Sequence, residues 1–132
     1  MKQKDFKMNK KLILGTILLS SILTMPSAYA QRASIVAHVT QTLITGSSTF
    51  GSCMALLDKE ISTQASASNT CPSRWVSFSC SGIYNSKDIA YRKLDIAQKS
   101  EVTGHRAIFY IDDLKKHNGF CYAYRVNSLN SK

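Results

Sequence analysis

The sequence predicts a mainly β domain with one helix, of the α+β class, held together by two disulfide bonds. Four short segments are rich in β-branched and aromatic residues, most of them alternating with a period of two, and a fifth is a short apolar run. One segment, residues 87–103, has the helical period of 3.6 instead. Four cysteines, an even number, all lie after the N-terminal 50 residues, at Cys53, Cys71, Cys80 and Cys121.

The first 30 residues have the organisation of a secretory signal peptide. A lysine-rich start, MKQKDFKMNKK, precedes 14 mostly apolar residues and a PSAYA end with small residues at Ala28 and Ala30. A transmembrane anchor is the alternative, but 14 residues are fewer than the about 20 that span a bilayer core. We therefore expect cleavage after Ala30, secretion or a periplasmic location, and a single domain at residues 31–132.

The charge balance favours acidic partners without identifying one. Residues 31–132 contain 12 Lys and Arg against 7 Asp and Glu, a net charge of +5. Such an excess suits anionic glycans, acidic protein surfaces or membrane surfaces, and it equally serves solubility. Nucleic acid is a poor candidate because no basic run in this part is longer than Lys115-Lys116.

Three strands are expected before the helix, at residues 34–44, 52–58 and 74–80. The first and third alternate between apolar and polar side chains, and the second is a short apolar run. The GSSTFG segment, 46–51, predicts a turn between the first two. Residues 61–73 are polar, serine-rich and aperiodic, which predicts a surface loop tied down at Cys71.

The helix predicted at 87–103 has a signal at each end. Ser86 is placed to cap its N-terminus, and Gly104 to end it in the left-handed conformation. An apolar stripe should pack on the sheet, and it consists of Ala90, Leu94 and Ala97. The opposite stripe carries charges spaced for i,i+4 pairs, namely Asp88, Arg92, Asp95 and Lys99.

Two more strands follow the helix, at residues 105–113 and 119–128. Asn118-Gly119 between them is typical of a tight hairpin. Alternation in the last strand divides its side chains between two faces, Phe120, Tyr122, Tyr124 and Val126 against Cys121, Ala123 and Arg125.

The order of three strands, a helix and two strands is that of a five-stranded OB-like Greek-key barrel, in which the helix lies between strands 3 and 4. There strand 2 is antiparallel to strand 3, and strand 3 is parallel to strand 5. The cysteines then meet at the two ends of strand 3, which favours the bonds Cys53–Cys80 and Cys71–Cys121. The alternative pairing, Cys53–Cys71 with Cys80–Cys121, stays open because spacing does not decide connectivity.

Four residues are candidates for ligand binding. Trp75 lies on the polar face of its strand, where an exposed ring suits stacking on a sugar or burial in a subunit interface. Tyr84, Asn85 and Ser86 lie between this strand and the helix, and their hydroxyl and amide groups suit sugar hydroxyls. The alternative is that Trp75 packs under the serine-rich loop and that Ser86 only caps the helix.

The sequence contains no signature of an enzyme, a metal site or a cofactor. The Gly-x-Ser-x-Gly motif of a nucleophile elbow is absent. His38 is expected to face solvent, and His105 and His117 to lie at the surface. Asp112 and Asp113 lack the spaced acidic residues of a calcium loop, so a solvated hairpin end is expected there.

Residues 31–132 resemble the B subunits of AB5 toxins, nearest to the subtilase-cytotoxin type. The resemblance rests on the signal peptide, the size, His38-Val39 in the first strand, Cys53 at the start of strand 2 and Cys80 at the end of strand 3. The longest local match is KLDIAQKSEVTGHRAIFYI, residues 93–111. It implies a homopentameric ring with helices around a central pore, an enzymatic A subunit as partner, and glycan recognition on the barrel surface.

Two functions of different classes follow. The first is a secreted, non-catalytic binding module that resembles a toxin B subunit and recognises cell-surface glycans. The second is a periplasmic inhibitor or immunity protein that binds and blocks an acidic enzyme, because a basic excess and a compact stapled core suit both. A small hydrolase of unknown substrate is a third and weaker hypothesis.

Overall fold

The computed structural model of the protein describes residues 32–64, 71 and 73–129. Its six strands are β1 (Arg32–Ala37), β2 (Val39–Ile44), β3 (Cys53–Leu57), β4 (Trp75–Ser77), β5 (Ala107–His117) and β6 (Phe120–Ser128). Its helices are α1 (Ile61–Gln64) and α2 (Lys87–Thr103), and a 3-10 turn covers Ser48–Phe50. The expected signal peptide, residues 1–30, lies outside the described residues.

The six strands form one sheet in the order β1-β5-β6-β4-β3-β2. Neighbouring strands are antiparallel except β4 and β6, which run parallel and meet at Ser77 and Tyr122. Both relations predicted for the strand around Val76, antiparallel to its predecessor and parallel to the last strand, are therefore confirmed. β1 and β2 lie at opposite ends of the order, although only His38 separates them in the chain.

The sheet has six strands where the sequence predicts five, because the predicted strand 34–44 divides at His38. β1 pairs with β5, whereas β2 pairs with β3. Each half takes a different neighbour, and an alternating pattern within one segment carries no information about which strand it will pair with. As a result, α2 follows the fourth strand in chain order and not the third.

The predicted loop 61–73 begins with the single helical turn α1. Ile61 is fully buried, and its amide donates to the carbonyl of Ser73 at 3.2 Å. Burial of one apolar side chain anchors a segment whose sequence has no periodicity. Residues 65–70 and 72 of the predicted loop lie outside the described residues.

Helix α2 has the predicted bounds and both predicted caps. The hydroxyl of Ser86 accepts the amide of Ile89 at 3.4 Å, and Gly104 ends the helix with a φ of 69°. The stripe expected to face the sheet is buried and consists of Ala90, Leu94 and Ala97. The expected ion pair between Arg92 and Asp88 forms at 3.1 Å. Neither described helix has the length and apolar character that crossing a membrane requires.

The core lies between the inner face of the sheet and α2. Phe78 and Phe109 are fully buried and stack with their ring centroids 6.4 Å apart. Leu57, Val76 and Leu94 are buried in the same cluster. Each of these large side chains contributes about 1.5–3 kcal/mol of hydrophobic stabilisation.

A β-bulge in β6 changes the predicted alternation of the last strand. The pairing of β5 with β6 shifts register between Tyr110 and Ile111, so Tyr124 is an extra residue on β6. Val126 consequently faces the core, where it is buried, and does not share the face of Tyr124 as predicted. Arg125 takes the exposed side instead.

Two disulfide bonds flank the short strand β4. Cys53–Cys80 joins the start of β3 to the segment after β4, with the Cα atoms 5.5 Å apart. Cys71–Cys121 joins the segment before β4 to β6, with the Cα atoms 5.8 Å apart. These are the pairs that the barrel prediction favours. Because β4 has only three residues, the bonds fix a strand whose own ladder is short.

We expect the variants C53A/C80A and C71A/C121A each to lower the free energy of unfolding by about 2–4 kcal/mol, because each bond restricts the unfolded chain. Urea unfolding without reductant measures the loss, and the wild type in reductant should lose more than either variant. A loss under about 0.5 kcal/mol for either pair, the range of neutral surface changes, would contradict the anchoring of β4.

Candidate binding site

An apolar groove lies on the outer surface of the sheet, and Trp75 forms part of its wall. Trp75 faces outwards because the adjacent Val76 points into the core, where it is fully buried. The other lining residues are Leu43, Phe50, Met54 and Phe120. Phe50 and Phe120 meet edge to face, with ring centroids 5.7 Å apart. The groove therefore combines an indole with two phenyl rings from other segments.

Two tight turns position these phenyl rings. Gly51, with a φ of 74°, ends the 3-10 turn and leaves Phe50 beside the sheet. Asn118 and Gly119 have φ values of 49° and 84°, and positive φ at both central residues is the signature of the favoured two-residue hairpin. Phe120 follows this hairpin turn directly, so the turn sets where its ring enters the groove.

The volume of the groove is about 170 Å³. Pockets that enclose drug-sized ligands usually have about 300–1,000 Å³. This groove is therefore suited to one ring, or one side chain, of a larger partner. Since its lining residues carry no charge, it favours ring stacking and apolar packing over ion pairing.

A separate polar cluster surrounds the amine of Lys93, which is buried on α2. Lys93 donates to the carbonyl of Ala123 at 2.8 Å, to the hydroxyl of Tyr122 at 3.1 Å and to Oδ1 of Asn85 at 3.5 Å. The hydroxyl of Tyr122 donates to the same Oδ1 at 2.8 Å. Lys93 thus links α2 to β6 and to the segment that precedes the helix.

Burial shifts two pKa values in this polar cluster. It lowers the pKa of Lys93 from 10.5 to about 8, because the charged amine loses contact with water. It also raises the pKa of Tyr122, and the negative charge of Asp112 adds to that rise. At neutral pH the amine is protonated and the phenol is neutral, which matches a donor amine surrounded by oxygen acceptors.

His117 is 5% exposed, so the prediction of a surface histidine is wrong. Strand β5 continues past the predicted end at residue 113 and carries the ring inwards. Its Nε2 lies 3.0 Å from the hydroxyl of Ser79, and its ring centroid lies 4.8 Å from that of Tyr84. Burial lowers the pKa of His117.

The contact between Ser79 and His117 has the distance at which a histidine activates a serine nucleophile. Its surroundings differ from those of an active site. Ser79 has no exposed surface, and its hydroxyl accepts the amide of Tyr84 at 3.0 Å. We interpret the pair as a bond that holds residues 78–86 against β5.

An extra stretch in β5, residues 113–115, separates two registers of its pairing with β6. It carries the amine of Lys115 to 5.9 Å from the centroid of the Tyr84 ring. Asp112 and Asp113 are only 4% and 5% exposed, so the predicted solvated hairpin end is wrong. The carboxylate of Asp112 accepts the amide of Leu114, within the extra stretch, at 3.1 Å.

The structure separates the four predicted ligand-binding residues. Tyr84 and Asn85 belong to the polar cluster, where the Tyr84 ring lies 5.3 Å from that of Tyr122. Trp75 lines the apolar groove instead. Ser86 caps α2, which is the structural role expected from the sequence as the alternative to ligand binding. Ligand binding by any of the four stays a prediction.

Most of the residues that surround Trp75, Tyr84 and Asn85 in the structure were not predicted from the sequence. Phe50 lies in a segment of turn composition, and no pattern places it on a surface. Phe120 has a face in the alternation predicted for the last strand, but alternation alone does not say which face lies outside. Lys93 did carry a signal. It follows Ala90 by three residues and precedes Ala97 by four, and this helical spacing puts a lysine on the apolar stripe.

The other two histidines lie apart from both features. His105 is exposed, as predicted. His38, expected to face solvent, is partly exposed, and its amide donates to the carboxylate of Asp58 at 2.9 Å. Within residues 32–64, 71 and 73–129, no group of three or more His, Cys, Asp or Glu side chains is placed to hold a metal ion.

Comparisons with protein-family models, with curated proteins and with solved structures found no match. The function is therefore inferred from the residues and their geometry.

We expect the free energy of unfolding to rise between pH 8 and pH 9.5. Below pH 8 Lys93 is protonated in both the folded protein and the unfolded chain. Above it the folded protein releases this proton while the unfolded chain, with the ordinary pKa of 10.5, retains it, so higher pH favours folding. Urea midpoints at the two pH values measure the effect. K93M should remove the rise, and K99M, at an exposed position of the same helix, should keep it. An equal rise in K93M would contradict this assignment.

We expect G51A to lose about 1–3 kcal/mol of stability, because alanine is strained at a φ of 74° and its Cβ would lie 2.7 Å from Cδ2 of His117. G119A is the matched control, since its φ of 84° imposes similar strain while a Cβ there meets nothing within 4 Å. G51A should lose more stability than G119A, and thermal unfolding of the two variants tests the close packing of the turn on His117. Equal losses in G51A and G119A would disprove it.

Proposed function

We propose that this protein is a secreted, non-catalytic binding module that recognises a glycan by stacking one sugar ring in the apolar groove. The observation that carries the proposal is the set of three aromatic side chains, Phe50, Trp75 and Phe120, around a space of about 170 Å³ on the sheet surface. A sugar ring has apolar C–H faces that pack on aromatic rings, while its hydroxyl groups stay at the edge, in contact with water.

The strand order supports the choice of this surface. With β1 and β2 taken as two halves of one strand, the order becomes that of a closed five-stranded OB-like barrel with its helix after the third strand. Such barrels bind oligosaccharides or oligonucleotides on the face of strands 2 and 3 and on the loops 1–2 and 4–5. The groove takes its residues from the matching elements, with Met54 and Trp75 on the two strands and Phe50 and Phe120 at the two loops.

The disulfide bonds support export. All four cysteines are paired, and such bonds persist in oxidising compartments such as the periplasm and the extracellular space. The leader-like sequence of residues 1–30 points to the same destination.

The resemblance to AB5 toxin B subunits suggests a ring that delivers an enzymatic A subunit. Tyr91 and Val102 of α2 are both exposed, at 43% and 86%. Eleven residues are close to three helical turns, so the two side chains lie on one face of α2. A neighbouring copy of the chain that covers this face would bury both, as a ring with inward-facing helices requires.

The alternative is an inhibitor or immunity protein that blocks an acidic enzyme. It rests on the basic excess of residues 31–132, and it does not use the apolar groove. The two functions are therefore separated by a variant of the groove.

We expect W75A to lose glycan binding by about tenfold or more, because truncation removes the stacking face and tenfold corresponds to about 1.4 kcal/mol. The measurement is a glycan array with the wild type, followed by titration of the best glycan. W75F should retain part of the affinity, since it keeps an aromatic ring. I83A, which removes an exposed apolar side chain that does not line the groove, should bind as the wild type does.

Absence of any glycan signal from the folded wild type would overturn the proposal. Capture of one acidic enzyme in a stoichiometric complex, equally strong for W75A, would favour the inhibitor. Light scattering of the secreted protein measures its molar mass and so the number of subunits. A monomer would rule out the B-subunit interpretation, and W75A would still test the groove.

A further inference from the structure

Two arginines and two tyrosines form a row on the outer face of the sheet where β1, β5 and β6 pair. The guanidinium carbon of Arg32 lies 5.1 Å from the centroid of the Tyr124 ring, and that of Arg125 lies 4.8 Å from the centroid of the Tyr110 ring. The two rings are 6.1 Å apart. Both arginines are exposed, and both tyrosines are partly buried. We call these four residues the arginine–tyrosine row.

We propose that the arginine–tyrosine row binds an acidic polysaccharide, at a surface distinct from the apolar groove. The two surfaces share no residue, because the groove is lined by Leu43, Phe50, Met54, Trp75 and Phe120. The inference therefore goes beyond the proposed stacking of one sugar ring, and it stands if that proposal fails.

The backbone builds the row with the β-bulge in β6. Because Tyr124 is the extra residue of the bulge, Tyr124 and Arg125 both face outwards opposite Tyr110. In a regular strand these two neighbours would point to opposite faces of the sheet. Arg32 lies on β1, two residues before Ser34, and Ser34 is the residue that pairs with Tyr110 of β5. Three strands thus bring two cations onto two adjacent rings.

Stacking prepares each guanidinium for an anion. A tyrosine ring holds the flat group by a cation–π contact and limits its rotation. The N–H edges then stay free to donate two parallel hydrogen bonds to a sulfate or a carboxylate. The Nε of Arg125 already donates to Asn127 at 3.0 Å, which fixes its direction and leaves the terminal nitrogens to a ligand.

The acidic residue nearest in register does not occupy the row. Asp112 is the strand partner of Arg32, but it is 4% exposed and its carboxylate accepts the amide of Leu114 at 3.1 Å. The exposed face therefore presents the two arginine charges with their acidic neighbour covered by protein.

A polysaccharide suits this surface better than a folded acidic protein does. A specific protein interface usually buries at least about 1,200 Å² with a close-packed apolar centre. The row offers two separated cations on a sheet face. A linear chain with a charged group at regular intervals meets both cations without a complementary surface, and its affinity should depend strongly on salt.

The test uses the full secreted protein and heparin as a sulfated polysaccharide, with neutral dextran and polyglutamate as comparison ligands. Affinity is measured at several salt concentrations. We expect heparin to bind, dextran not to bind, and polyglutamate to bind more weakly. R32Q/R125Q should weaken heparin binding by about tenfold or more at about 0.05 M salt, and it should lower the slope of log affinity against log salt by about two, one for each lost ionic contact.

Two variants separate the geometry of the row from net charge. R92Q/K99Q removes two charges from exposed positions of α2 and should leave heparin binding close to that of the wild type. R32K/R125K keeps the charges but loses the flat stacked groups, and it should bind between the wild type and R32Q/R125Q.

The proposal is overturned if R92Q/K99Q loses as much affinity as R32Q/R125Q, or if R32K/R125K binds as tightly as the wild type. Polyglutamate binding equal to that of heparin would point to an acidic protein and would also overturn it. W75A should keep heparin binding unchanged, so failure of the groove and failure of the row are distinguishable.

Discussion

The fixation of β4 is the constraint on which the rest of this structure depends. The strand has three residues, and its parallel contact with β6 is a single register position, Ser77 opposite Tyr122. A disulfide bond on each side ties the adjoining segments to β3 and β6. This fixation sends Val76 into the core and holds Trp75 on the outer surface, so the core and the groove are set by the same short strand.

A second constraint is the burial of polar groups between α2 and the sheet. A buried amine is costly unless its donors are satisfied, and the three acceptors around Lys93 meet that requirement. The same bonds connect the helix to β6 and to Asn85, so orientation of the helix and order of the preceding segment are coupled. His117 and Ser79 repeat this arrangement between β5 and the segment after β4. Hydrogen bonds of this kind specify one packing of the core where apolar contacts would allow several.

The outer side of β6 joins the features described above. Phe120 lines the groove, Tyr122 belongs to the polar cluster, and Tyr124 belongs to the arginine–tyrosine row. Successive residues on one face of a strand are about 7 Å apart, so the groove and the row follow each other along β6 with the buried Tyr122 between them. The proposed ring stacking and the proposed anion binding are therefore adjacent activities of one sheet.

The sequence by itself determined the elements that depend on local physics: the bounds and caps of α2, the β segments, the tight turn at Asn118-Gly119, and the composition that implies two disulfide bonds. Periodicity and turn preferences depend on residues that are close together in the sequence, so the sequence alone is enough to identify them. Tertiary structure alone decided the division of the first strand at His38, the bulges in β5 and β6, and the burial of Asp112 and His117. It also decided which rings form the groove, because Phe50, Trp75 and Phe120 are distant in the chain and meet only when separate strands pair.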